Sequence, residues 1–140
     1  MQRIRIKTSA RNEMLDILDD VQSALDKMTA SCGVDSGAVV VYCPHTTAAI
    51  TVNEDYDPDV KRDILTKLAA DTPKHGDYMH AEGNSDAHVK SSLVGVSETL
   101  PVERGRIQLG RWQGLLFCEF DGPRTREAWL TFLPGASGGS

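Results

Sequence analysis

The sequence predicts an α+β domain: a mixed or antiparallel sheet with helices packed on one side. Two observations carry that prediction. Strand-like and helix-like runs follow the order strand, helix, two strands, two helices, then three or more strands. Strands clustered at the end of a chain mark an α+β arrangement rather than a doubly wound one. The chain has 140 residues, the size of one domain and too short for a (β/α)₈ barrel of ~250 residues. Every Rossmann and Walker pattern is absent.

Residues 2–8 alternate, with Ile4 and Ile6 on one face and Arg3, Arg5 and Lys7 on the other, so they form a half-buried strand. Met14, Leu15, Leu18, Val21, Leu25 and Met28 recur at three- and four-residue steps, predicting a helix over 13–29 capped by Asn12. Ala38 to Cys43 is a short, Val-rich run that reads as a buried strand broken by Pro44. Thr46 to Asn53 alternates and resumes as a strand. Asp57 before Pro58 is a cap followed by a first-turn proline, and Val60, Ile64, Leu65 and Leu68 carry that helix to Pro73.

Residues 74–87 are polar and aperiodic, which inside a domain points to function or disorder. A short helix follows from Asp86 to Val94, with Ser85 as cap and Gly95 as stop. Strands are predicted near Ser97–Pro101, Arg106–Gly110 with Trp112–Asp121, and Thr125–Leu133. The domain is expected to span 1–133, and residues 134–140 to form a flexible tail.

The net charge is −5 without a basic block, which argues against nucleic acid as a partner. The three cysteines lack a CxxC pair, and no apolar run approaches ~18 residues, so a cytoplasmic protein without a membrane span is expected. Cys43 and Cys118 sit in apolar runs and read as small buried hydrophobes.

Three constellations can carry chemistry. In the first, Pro44, Thr46 and Thr47 hold the backbone around His45, with Asn53 and Glu54 ending the next strand. His45 can be a general base, a metal ligand or a surface side chain on a bend. The second runs from Tyr78 to Lys90. His80, Glu82, Asn84, Ser85, Asp86, His88 and Lys90 crowd a short segment, and Gly83 permits an unusual backbone. His80, His88 and His45 can supply three nitrogens to an open divalent-metal site. Alternatively, the helix start and Lys90 can hold a phosphate, or Asp86 simply complements the helix dipole. The third holds Trp112 and Gln113 after a glycine, then Glu119 and Arg124. A ring and an amide can line a cleft for a flat heterocycle, and Arg124 can grip an anion. Trp112 as core, and Glu119 ion-paired to Arg124 or Arg126, are the structural alternatives.

Pro44-His45-Thr46-Thr47-Ala48, the run HAEGNSDAHVK from His80 to Lys90, Leu109-Gly110 with Trp112-Gln113-Gly114, and Cys118 to Arg124 together resemble the YjbQ family, also described as the secondary thiamine-phosphate synthase family. The resemblance runs from the first strand to about Leu133. It implies a mixed sheet curled into a half-barrel with helices packed on it, and a homotrimer. It also implies a thiamine phosphate synthase-like transferase, joining an aminopyrimidine methyl diphosphate to a thiazole phosphate with loss of pyrophosphate.

Carried over by motif, His45, Glu82, Asp86 and His88 would be catalytic. Thr46, Thr47, Glu54, Asn84, Lys90, Trp112, Gln113 and Arg124 would bind substrate. His45, His80 and His88 would hold a divalent metal, Mg or Zn. Lys90, Arg124 or the metal would neutralise the departing pyrophosphate. The alternatives are a metal-dependent hydrolase of a small phosphorylated metabolite and a non-catalytic trimeric metabolite-binding protein.

Overall fold

The computed structural model describes residues 1–136. In chain order the elements are β1 (Gln2–Lys7), β2 (Glu13–Asp16), α1 (Leu18–Cys32), β3 (Gly37–Tyr42), β4 (Ala48–Glu54), α2 (Pro58–Asp71), α3 (Ser85–Val94), β5 (Ser97–Glu103), β6 (Arg106–Ile107), β7 (Gln113–Glu119) and β8 (Thr125–Pro134). Five strands form one curled sheet in the order β1-β8-β3-β5-β6, and three form a second in the order β2-β7-β4. The fold is the α+β half-barrel that the sequence led us to expect.

The layering follows from β7. Its residues from Gly114 to Phe120 are an unbroken buried run, the pattern of a strand covered on both faces. Leu115 and Phe117 enter the larger core, with Val21 and Leu25 of α1 and Val39, Val41 and Leu130 of the five-stranded sheet. Leu116, Cys118 and Phe120 enter a smaller core with Met14, Ala49 and Ala87, against which Ile64, Leu65 and Leu68 of α2 pack. Each large apolar side chain buried this way stabilises the fold by about 1.5–3 kcal/mol.

The chain departs from the sequence reading at both ends of α1. Glu13–Asp16 is not helical. It is an edge strand whose Met14 stands opposite Cys118 on β7. A four-residue apolar stretch fits either period, and the open edge of β7 decides between them. Asn12 is therefore no cap: its Oδ1 accepts from Lys90 Nζ at 3.4 Å. The N-cap position is Ile17, which makes no side-chain cap bond, and Asp16 before it accepts from the Leu18 N–H at 2.8 Å. Ser85 is likewise the first residue of α3 rather than its cap, which is Asn84. The Asp57–Pro58 start of α2 is as expected, with Asp57 Oδ1 accepting from the Asp59 N–H at 2.9 Å. Pro134 ends β8 instead of starting a tail, and residues 137–140 of the expected tail lie outside the described residues. No described helix is long and apolar enough to cross a membrane.

The two sheets are joined by a buried ion pair. Glu119 at the end of β7 is fully buried, and Arg126 on β8 is 2% exposed. Arg126 Nε donates to Glu119 Oε1 at 2.9 Å, and Nη2 donates both to Glu119 Oε2 and to the Thr47 hydroxyl, the latter at 2.8 Å. The Thr8 hydroxyl donates to Glu119 Oε1 at 2.8 Å, and the N–H groups of Phe120 and Asp121 donate to Oε2 at 3.0 Å each. Burial alone would raise the Glu119 carboxyl. Its hydrogen bonds from Arg126, Asp121 and Thr8 outweigh that and hold it below the ordinary value. Gly122 belongs to this packing, since a Cβ there would sit 2.3 Å from the Ala10 carbonyl oxygen and 2.8 Å from Glu119 Cγ.

Truncating one partner strands the other charge in the core. Glu119→Ala is expected to cost about 3–5 kcal/mol in a urea titration, and a loss below ~1 kcal/mol would show that the surface absorbs Arg126. Partial burial and a hydrogen bond to Asp55 raise Asp16 to about 6. Lys61 in turn holds Asp55 from 2.6 Å. A raised folded-state pKa gives stability that is present below the unfolded value and lost as pH rises through the folded one. Asp16→Asn is therefore expected to stabilise the chain at pH 7 by about 1 kcal/mol, discounted for exposure. The difference should fade towards pH 4, and a pH-independent difference would contradict the raised Asp16 carboxyl.

Candidate functional site

A cavity of about 790 Å³ opens where β3 ends and α3 passes over β4. Pro44 stops β3, so the chain turns at His45 and Thr46 before β4 begins. The C-terminal end of α3 is pinned beside this turn. Ser91 Oγ donates to the Ala48 carbonyl at 2.6 Å, the Cys43 N–H to Val96 O at 2.7 Å, and the Ile50 N–H to Gly95 O at 3.0 Å. His45, Thr46, His88, Ser91 and Ser92 line the cavity together with Cys43, Tyr42 and Trp129.

The two imidazoles differ in their partners. His45 Nε2 accepts from the Glu127 N–H at 2.9 Å, so that nitrogen carries the lone pair and Nδ1 carries the proton. Burial, then the charge of Arg126, lowers His45 below its ordinary value of 6.5, which keeps it neutral. His88 meets the edge of the His80 ring at 5.3 Å between centroids and makes no side-chain hydrogen bond among the described residues. It also borders a second cavity of about 420 Å³, lined by Tyr78, Met79, His80 and Ser85. The Cys43 thiol is pushed up to about 11 by burial, so it is no thiolate nucleophile.

Of the residues expected at a site, the cavity gathers His45, Thr46 and His88. Thr47 is buried and bonded to Arg126. Asp86 is 1% exposed and pairs with Lys90 Nζ and Arg11 Nη2, both at 3.2 Å, so it holds α3 in place and is no acid or base for the cavity. Lys90 is spent in the same pair. Arg124 is paired with Asp121 at 3.0 Å, and Asn84 Nδ2 donates to that same carboxylate at 3.0 Å. Glu82 is exposed, 3.8 Å from His80. Glu54 and Gln113 face each other at the far end of β4, six residues from Ala48 or about 20 Å along the strand. Trp112 lies there too, against Tyr56 at 4.9 Å and Arg111 at 4.7 Å.

The three-histidine metal set is not assembled. Among the described residues no group of three His, Cys, Asp or Glu is placed to hold an ion, and His45 Nε2 is taken by the Glu127 N–H.

Arg11, Tyr42 and Trp129 escaped the sequence reading, whereas the Glu119–Arg126 pair is one of the structural alternatives it named. Arg11 bridges Asp86 and Asp121 at 3.2 Å each across 75 and 110 residues of chain. The signal for the Glu119–Arg126 pair is an apolar β8 strand interrupted by Arg126 beside an equally interrupted β7.

In a histidine-selective NMR titration His45 should remain the neutral Nδ1–H form at pH 7, with a midpoint below 6.5. A proton found on Nε2 would contradict the Glu127 contact.

Residues 2–135 match the family model described as UPF0047 protein YjbQ-like. The UPF0047 protein YugU of Bacillus subtilis is 48% identical over 134 residues, covering 95% of this chain and 98% of its own. A UPF0047 protein of Methanocaldococcus jannaschii is 47% identical, covering 94% and 92%. The solved structure of an uncharacterized conserved YjbQ/UPF0047-family protein from Clostridium acetobutylicum superposes with a TM-score of 0.89 at 48% identity, covering 95% of this chain and all of that one.

These findings overturn the expected thiamine phosphate synthase-like transferase, since the relatives support an uncharacterized family and no such activity. The geometry agrees: Lys90 and Arg124, needed to neutralise departing pyrophosphate, are already paired with Asp86 and Asp121. With a family model spanning nearly its whole length and relatives at almost half identity, the chain belongs to the YjbQ/UPF0047 family.

Proposed function

We propose that the chain binds a small oxygen-bearing compound in the His45–His88 cavity and moves a proton on it. One observation carries this reading: two imidazoles line one cavity, one locked neutral with its lone pair consumed, the other without a hydrogen-bond partner. Nδ1–H of His45 is the ring's remaining polar group, suited to donate to a ligand oxygen where negative charge develops. A neutral imidazole serves there without adding a buried charge. A ring nitrogen of His88 is available to take the proton and return it.

The cavity wall supports an uncharged reacting group. No Lys, Arg, Asp or Glu is among its lining residues, so a charge placed there would lack a direct partner. Its size falls within the roughly 300–1,000 Å³ of small-molecule sites.

The test is hydrogen exchange at carbon next to a carbonyl. Small hydroxyketones and aldehydes are incubated with the protein in D₂O and followed by proton NMR. Exchange should occur on at least one of them. It should fall by roughly 10²–10⁴-fold in His88→Ala, the range for a lost general acid–base, and by less in His45→Phe. Absence of exchange across the panel, or exchange unchanged in His88→Ala, would sink the proposal.

A further inference from the structure

The register of the five-stranded sheet builds a feature beside the cavity that the proton-transfer reading leaves unused. Arg3 stands opposite Trp129, Trp129 opposite Tyr42, and Tyr42 opposite Ser97. These four side chains form one row across β1, β8, β3 and β5, on one face of the sheet. The Tyr42 and Trp129 rings lie 6.0 Å apart at 38°, and the Arg3 guanidinium lies 4.8 Å from the Trp129 centroid. Both rings also line the His45–His88 cavity. Tyr42 is 42% exposed, a large apolar surface left open at the mouth of a site.

Two and four residues further along β1, on the same face, come Arg5 opposite Glu127 and Lys7 opposite Thr125. Arg3, Arg5 and Lys7 are exposed and make no ion pair among the described residues. The Glu127 carboxylate accepts from Trp129 Nε1 at 3.0 Å, and Arg3 and Arg5 also line a pocket with Asp20 and Lys27, so Arg3, Arg5, Lys7 and Lys27 stand against Glu127 and Asp20, a surplus of two positive charges. By contrast, Arg11, Lys90, Arg124 and Arg126 are all ion-paired within the protein. The unpaired cations nearest the cavity in the sheet register are therefore those that follow its aromatic wall.

We propose that the cavity's ligand carries a planar ring and an anionic tail, in the manner of a mononucleotide. The ring lies on Tyr42 and Trp129, and the tail lies on Arg3 and Arg5. This rests on the cavity reading above for the position of the reacting group and adds the class of compound. Stacking on Trp and Tyr selects a flat ring of any sequence of substituents. Exposed guanidinium groups select a phosphoryl or carboxylate tail, with an affinity that salt weakens. The separation of tasks explains why the cavity itself has no cation: the tail's charge stays at the solvent-exposed edge, where desolvation costs least.

The chain has two tryptophans, so a Trp112→Phe background leaves Trp129 as the only indole reporter. Its fluorescence is titrated with adenosine 5′-monophosphate and with adenosine, at low salt and at about 0.15 M. Both should quench Trp129, with the nucleotide binding roughly tenfold more tightly at low salt. Raising the salt, or the Arg3→Gln/Arg5→Gln double variant, should remove that gap and leave adenosine binding unchanged.

Equal binding of the two compounds, or a gap untouched by the double variant, overturns the tail assignment. No quenching by either at millimolar concentration overturns the ring assignment. Either failure is separable from failure of the proton-transfer reading, which is scored by His88-dependent exchange on compounds without a ring or a tail.

Discussion

Everything at the candidate site depends on the buried pair between Glu119 and Arg126. It joins the end of β7 in one sheet to β8 in the other, and it brings in Thr47 before β4 and Thr8 after β1. A charge in a dry core is tolerated only when its hydrogen-bonding capacity is filled, and here five donors converge on one carboxylate. Two consequences reach His45. Thr47 is held two residues beyond it, and Glu127, next to Arg126, supplies the N–H that its ring accepts. The same guanidinium adds to burial in keeping His45 neutral. One interaction thus sets the position, the tautomer and the charge of the residue at the centre of the site.

A second network decides what chemistry is out of reach. Arg11, Lys90 and Arg124 converge on Asp86 and Asp121 and hold the start of α3 against the turns after β1 and β7. Each carboxylate lowers the positive field that its partner would offer to an anion. The cations that appear in the sequence as a phosphate grip are therefore structural. Among the cations without an ion pair, the outward-facing set of β1 follows the aromatic wall of the cavity, because alternation places it on the sheet surface. The electrostatics of the site are those of a neutral cavity bordered by a basic edge.

Much of the architecture was legible in the chain because it is written in local periodicity. The alternation of residues 2–8 gave β1, the Val-rich run before Pro44 gave β3, and Asp57-Pro58 gave the start of α2. Met14 and Leu15 misled, since a short apolar stretch satisfies both helix and strand and only the free edge of β7 made it a strand. At the candidate site, the density of polar groups between His80 and Lys90 pointed to the segment that brings His88 to the cavity. It overstated the number of residues open to a ligand, because Asp86 and Lys90 satisfy each other across one helical turn. Trp112 and Gln113 looked like a cleft but stand at the far end of β4. The ring beside the cavity is Trp129, an ordinary strand residue by its neighbours in sequence.

The sequence by itself determined most of the element types and the family motifs, because these rest on spacing along the chain and on the chemistry of individual side chains. Only the tertiary structure decided which charged groups are spent and which are free. Arg126 meets Glu119 over seven residues, but Arg11 meets Asp121 over 110 and Asp86 over 75. Whether a cation grips a ligand or a neighbour depends on the partner that folding brings within about 4 Å, and such pairings across sheets leave no periodic trace in the chain.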